Sequence, residues 1–166
     1  LSLDKSAEVI IYSDGACLGN PGPGGYGAIV MADGQHRELS GGYQLTTNNR
    51  MEIMGAIAAL ESLGDGCRVT LYTDSKYVVD AMSLGWVKRW RASGWRRGGK
   101  APALNPDLWQ RMLDICARHE VTFRWVKGHH TSAGNNRCDA LANETAHQPN
   151  LPIDHGYRNK PQKRLF

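Results

Sequence analysis

The stretch Glu8-Val9-Ile10-Ile11-Tyr12-Ser13-Asp14-Gly15-Ala16-Cys17-Leu18-Gly19-Asn20-Pro21-Gly22-Pro23-Gly24-Gly25-Tyr26-Gly27 decides how the chain folds. Its first six residues are a short apolar, β-branched run, the pattern of a buried strand. Gly19 to Gly25 reads as turn chemistry throughout. Tyr26 to Met31 then reads as a second strand. A third, from His36 to Gln44, follows the Asp33-Gly34 turn, so the three form an antiparallel meander. The formal G-x-G-x-x-G from Gly22 to Gly27 is not a dinucleotide fingerprint. A strand rather than a helix follows it, and two prolines interrupt the turn.

Further along, Thr47-Asn48-Asn49 offers a helix cap, and Met51, Met54, Ile57, Ala58 and Leu60 supply an apolar stripe. Gly64-Asp65-Gly66 ends that helix. Arg68 to Thr73 is a fourth strand, and Asp74-Ser75 signals a helix start. Residues 75–92 read as helical, with a break at Leu84-Gly85. Asn105-Pro106-Asp107 opens a helix carrying Leu108, Met112, Ile115 and Cys116. Val121 to Val126 is a fifth strand, and Asn135 to His147 a last helix. The order βββαβααβα predicts an α/β fold: a five-stranded mixed sheet, three antiparallel strands then two parallel, flanked by helices.

At 166 residues the chain fits one domain, expected over residues 1–147, and 41% hydrophobic content supports a real core. The tail from Gln148 to Phe166, rich in proline and basic residues, is expected to be a mobile appendage. No apolar run approaches a membrane span, and Leu1 to Lys5 lacks the apolar run of a signal peptide, so a soluble cytoplasmic monomer is expected. Four cysteines without C-x-x-C spacing read as free thiols rather than disulfides or a zinc site. The net charge of +4 and a pI near 9.0 favour a polyanionic partner.

Four acids are candidates for chemistry: Asp14, Glu52, Asp74 and Asp139. Asp14 and Asp74 stand where the first and fourth strands run out, the end of an open α/β sheet at which ligands gather. Glu52 lies in the first turns of a helix, on the face of Gly55, Ala56 and Ala59, whose small side chains let the helix approach the sheet. Asp139 lies in the last helix, after a glycine-containing loop. Singly each is an ordinary cap or surface acid, and Asp74 before Ser75 would serve well as an N-cap. Together, clustered carboxylates need a cation or a proton between them, and all-oxygen ligation favours Mg²⁺ or Mn²⁺.

The joint pattern resembles bacterial type 1 ribonuclease H. The resemblance is carried by Ile11 to Gly27, Thr46-Thr47-Asn48-Asn49-Arg50-Met51-Glu52, Tyr72-Thr73-Asp74-Ser75-Lys76-Tyr77-Val78, and Trp125-Val126-Lys127-Gly128-His129 with Asn135 and Arg137-Cys138-Asp139. It implies hydrolysis of the RNA strand of RNA–DNA hybrids by two Mg²⁺ ions, with Mn²⁺ a substitute, leaving 5′-phosphate and 3′-hydroxyl ends. It further implies that Asp14, Glu52, Asp74 and Asp139 hold the metals, and that His129 assists proton transfer and product departure. A loop histidine titrating near neutral pH suits that role, and the neighbouring His130 is its rival.

Between Asp80 and Asp107 there is no acid but six bases, Lys88, Arg89, Arg91, Arg96, Arg97 and Lys100, interleaved with Trp86, Trp90 and Trp95. Such bases contact phosphates, while the tryptophans brace the segment or pack against sugars. The bland alternative is a solvated helical hairpin. The family has a basic protrusion here that grips the DNA strand. By resemblance Cys17, Asn20, Asn48 and Asn49 line the minor groove where the 2′-hydroxyl is sensed, and Thr47 helps hold a DNA phosphate. Lys76 stands where relatives often carry glutamine and can reach a base edge or phosphate. Leu45 stands where some relatives place an arginine, and Thr131-Ser132-Ala133-Gly134 and Asn136 depart from the commonest loop sequence. The rivals are a DNA-directed enzyme of the same fold, opposed by the asparagine pair and the basic segment, and a non-catalytic hybrid-binding module, opposed by the complete set of acids.

Overall fold

Alternation sets the first strand, β1 (Glu8–Cys17): Val9, Ile11 and Ser13 are buried, while Glu8 and Ile10 are exposed. The computed structural model describes residues 8–98, 101–127 and 132–158. β1 pairs antiparallel with β2 (Gly22–Ala32), which pairs antiparallel with β3 (Gln35–Thr46). On its other side β1 lies parallel to β4 (Arg68–Thr73). β4 in turn lies parallel to the edge strand β7 (Glu120–Trp125). The sheet order β3-β2-β1-β4-β7 is the predicted mixed sheet of three antiparallel strands followed by two parallel ones.

β2 begins at Gly22, so the glycines from 22 to 25 are strand residues and not turn. They are there because neighbouring backbones come too close for a side chain. Gly15 makes the same point on β1: a Cβ there would collide with the Glu52 backbone nitrogen. That contact seats helix α1 (Asn48–Glu61) directly on the sheet. Thr47 caps α1 as predicted, its side chain accepting from Arg50 N at 3.3 Å. Met51, Ile53, Ala56, Ile57, Ala59 and Leu60 are fully buried in the core between α1, the sheet and α4 (Pro106–Cys116).

The predicted break at Leu84-Gly85 separates α2 (Lys76–Ser83) from α3 (Trp86–Ala92), with Gly85 at φ 76°. A two-residue ladder of β5 (Arg96–Arg97) and β6 (Ala101–Pro102), too short to leave a periodic signal, follows. Helix α5 (Ala133–Ala146) covers the opposite face of β1 and β2. Among the described residues no helix is long and apolar enough to cross a membrane.

The mobile tail expected from Gln148 is corrected over residues 148–158. Leu151 and Asp154 are buried, Gln44 N donates to Pro152 O at 2.9 Å, and a short helix, α6 (His155–Arg158), ends the segment. The physical reason is Asp154, which forms a 2.7 Å ion pair with the buried Arg50 guanidinium. Residues 159–166 lie outside the described part of the chain.

Candidate active site

Parallel pairing of β1 with β4 puts Ser13 opposite Thr73, so the next residues, Asp14 and Asp74, emerge together at the carboxyl ends of adjacent strands. The seat of α1 on Gly15 brings Glu52 to the same place. Carboxylate oxygens of Asp14, Glu52 and Asp74 all lie within 4.8 Å of one another. Ser75, not Asp74, caps α2, its hydroxyl accepting from Val78 N at 3.2 Å. The Asp74 carboxylate is thereby left to the cluster. Its backbone carbonyl accepts from the indole nitrogen of Trp125 at 3.1 Å, a tie between the ends of β4 and β7 that the sequence reading had not singled out.

Asp139 stands outside the three-residue group but close to it. Gly27 lies opposite Asp14 in the β1–β2 pairing, and a Cβ there would fall 2.6 Å from the Cys138 carbonyl oxygen. Bare glycine therefore lets α5 settle beside Asp14, with Asp139 next along the helix. Its Oδ1 accepts from Asn143 Nδ2 at 3.1 Å.

Crowding these carboxylates disfavours their ionised forms. Burial first, then the charges of Asp74 and Asp139, pushes Asp14 up to about 8 against the opposing hydrogen bonds of Glu52 and Gly15. Burial, followed by the charges of Asp14 and Asp74, raises Glu52 well above the ordinary carboxylate range. Such a cluster needs a cation or a shared proton. The residues fit a hard divalent ion: the three donors are all oxygen, and Glu52 Oε2 is buried with no hydrogen-bond partner.

The exposed first residues of α1, Asn48 and Asn49, sit beside exposed Asn20, whose Oδ1 accepts from Asn48 N at 3.1 Å. The Cys17 thiol donates to the carbonyls of Gly22 and Thr46 at 3.4 and 3.5 Å. Lys76, at the start of α2, is exposed. Lys88, Arg89, Arg91 and Arg96 form an exposed basic segment, in which Arg89 donates to the Leu84 carbonyl at 3.0 Å. Trp90 packs inward, edge-on to the fully buried Trp109 with ring centroids 6.3 Å apart, and Trp95 also packs on the core. His129, its rival His130 and Lys100 lie outside the described residues.

The family model for RNase H matches residues 6–147. The chain belongs to the ribonuclease H family. A ribonuclease H of Syntrophus aciditrophicus is 56% identical over 93% of this chain and 89% of its own length. Ribonuclease HI of a Synechocystis species is 59% identical over 90% of this chain and 94% of its own. Among solved structures, LC9-RNase H1, described as a type 1 RNase H with the type 2 active-site motif, superposes with a TM-score of 0.76 at 36% identity. That superposition covers 87% of this chain and 74% of the other. LC11-RNase H1, solved in complex with an RNA/DNA hybrid, gives 0.63 at 28% identity, covering 83% of this chain and 96% of that one. As a member of the bacterial type 1 ribonucleases H, the chain is a nuclease of a metal-dependent family, and it carries an acidic cluster.

Sequence reasoning passed over Arg50, Asp107 and Asp154, which meet in one network in which Arg50 and Asp154 are buried and Asp107 is half-exposed. A signal existed in Leu151-Pro152-Ile153-Asp154, three apolar residues and an acid inside an otherwise polar, basic tail.

Proposed function

We propose that this ribonuclease H hydrolyses the RNA strand of RNA–DNA hybrids, breaking the bond from phosphorus to the 3′ oxygen and leaving 5′-phosphate and 3′-hydroxyl ends. The observation that carries the reading is the convergence of Asp14, Glu52 and Asp74 within 4.8 Å, with one Glu52 oxygen buried and unpartnered. Those three residues and Asp139 would hold two Mg²⁺ ions, with Mn²⁺ a substitute. Bound there, the ions would supply an activated water and neutralise charge at the phosphodiester.

The chain's own side chains do the rest. Asp14 and Asp74, fixed by paired strands, and Glu52, fixed by α1, orient the centre without reorganisation. Asn20, Asn48, Asn49 and Cys17 face the minor groove, where the 2′-hydroxyl separates RNA from DNA, and Thr47 holds a DNA phosphate. Lys76, Lys88, Arg89, Arg91 and Arg96 bind phosphates, with Trp90 and Trp95 bracing that segment against the core. His129 assists proton transfer and product departure. The enzyme acts as a cytoplasmic monomer.

A cleavage assay on matched RNA–DNA, RNA–RNA and DNA–DNA duplexes, with Mg²⁺ present or chelated, tests this reading. Cleavage of the RNA strand of the hybrid alone, and only with Mg²⁺, is expected. Cleavage of the DNA duplex at a comparable rate, or activity that survives chelation, would overturn it.

A further inference from the structure

Every N–H of the Arg50 guanidinium is used. Nε donates to Asp154 Oδ2 at 2.7 Å. Nη2 donates to Asp154 Oδ1 at 2.9 Å and Asp107 Oδ2 at 2.7 Å. Nη1 donates to Asp107 Oδ1 at 2.9 Å and Asn105 Oδ1 at 3.2 Å. An arginine has five such donors, and two carboxylate forks and one amide saturate them. The same Asp154 Oδ2 also accepts from the buried Thr46 hydroxyl at 2.7 Å.

Thr46 and Arg50 bracket the opening turn of α1: its cap Thr47 and its first residues, Asn48 and Asn49. The brackets are buried, at 0% and 2% exposure, while Asn48 and Asn49 are exposed. A single carboxylate more than a hundred residues away therefore grips both ends of the turn that faces the substrate. The turn is fixed at other points as well, by Asn20 on Asn48 N and by the Thr47 cap on Arg50 N.

We propose that Asp154 is a positioning residue for nucleic-acid recognition, holding the turn 47–49 in the geometry that binds the hybrid. This rests on the reading that the turn contacts an RNA–DNA hybrid. Asp154 touches no reacting atom. Its role is to cut the conformational freedom that the two asparagines would otherwise lose on binding.

Two variants test it in the full chain: Asp154→Asn, which keeps the shape and removes the charge, and Thr46→Val, which removes only the hydroxyl and leaves the Arg50 forks intact. Steady-state cleavage of a hybrid with Mg²⁺ gives kcat and KM. Anisotropy of a labelled hybrid in chelator gives binding without turnover. Thermal unfolding shows that each variant is folded at the assay temperature. Thr46→Val is expected to raise KM and the hybrid Kd about fivefold, the worth of one net hydrogen bond, with kcat unchanged. Asp154→Asn is expected to raise both further, and Asp154→Glu to recover part of the loss. Glu61→Gln, which breaks the peripheral Arg111–Glu61 pair, should leave KM unmoved. Unchanged KM and Kd in folded Thr46→Val and Asp154→Asn overturn the proposal, as does a fall in kcat alone. Failure of the unaltered chain to cleave hybrid overturns the parent reading instead, and this one with it.

Discussion

Replacing Asp14 with Asn should make the metal-free fold more stable while abolishing cleavage. The Asp14 carboxylate belongs to a cluster whose oxygens all lie within 4.8 Å, and with 3% exposure it is little screened by water. At an effective dielectric constant of about 20, one pair of unit charges at that separation repels by about 3 kcal/mol. The folded-state pKa is raised to about 8, chiefly by burial and then by Asp74, so the group binds its proton more tightly folded than unfolded. The sign follows: Asp14 weakens the fold increasingly as pH climbs from the ordinary carboxylate range toward the raised value, and costs nothing below that range. Relief of the Asp14–Asp74 repulsion alone should therefore put Asp14→Asn about 3 kcal/mol above the parent at about pH 9 in chelator, a Tm rise of roughly 6–12 °C for a domain of this size. The two should converge below about pH 3, where Asp14 is protonated in the folded and the unfolded chain alike. Mg²⁺ at a hundredfold excess over its Kd should return about 3 kcal/mol to the parent and much less to the variant. Urea unfolding followed by circular dichroism, with and without Mg²⁺, measures all of this. An Asn variant no more stable than the parent at high pH in chelator, or a parent indifferent to Mg²⁺, refutes the repulsive-cluster account.

Arg50→Met should cost about 3–5 kcal/mol near neutral pH, because it leaves the buried Asp154 carboxylate unpaired. Against the desolvation that raises them, hydrogen bonds to Arg50 hold Asp154 and Asp107 below their ordinary values. Their stabilisation is present above the unfolded carboxylate pKa and lost as pH falls through the folded one, so the deficit should shrink in acid; a deficit constant with pH would count against the pairing. Gly15→Ala should lower both stability and kcat, since the new methyl meets the Glu52 backbone and pushes the Glu52 carboxylate away from Asp14; full activity at normal Tm would show that α1 has room to move. Neutralising Arg89, Arg91 and Arg96 together should raise KM and flatten its dependence on salt by up to about three phosphate contacts, and an unchanged salt slope would remove the basic segment from hybrid binding.

What could be read from the sequence was what local pattern encodes. β1 and β4 announce themselves by short apolar runs, and Asp14 and Asp74 follow directly from where those runs stop. Glu52 was legible because small residues share its helix face. Asp139 depended on the resemblance, since nothing local says that α5 will settle over Gly27. The glycines from 22 to 25 misled for a related reason: turn and strand demand glycine alike, one for backbone freedom and the other for close packing. The seating of residues 148–158 was illegible because it rests on Asp154 meeting Arg50 across 104 positions, a pairing that no window of periodicity spans. The tryptophans of the basic segment were ambiguous from sequence, and the packing of all three against the core, with Trp90 on Trp109, resolves their attitude.

The saturated guanidinium has a consequence for synthesis on the ribosome. Chains are made from the amino end, and the first four strands with helix α1 emerge long before residue 154. Until that carboxylate arrives, Arg50 lacks two of its five acceptor contacts and Thr46 has lost its side-chain partner. A nascent chain halted short of it carries Asp14, Glu52, Asp74 and Asp139 yet lacks the carboxylate that grips Thr46 and Arg50 on either side of residues 47–49. The buried anchor at the start of α1 is thus completed late in translation, by one of the last described segments of the chain to be made.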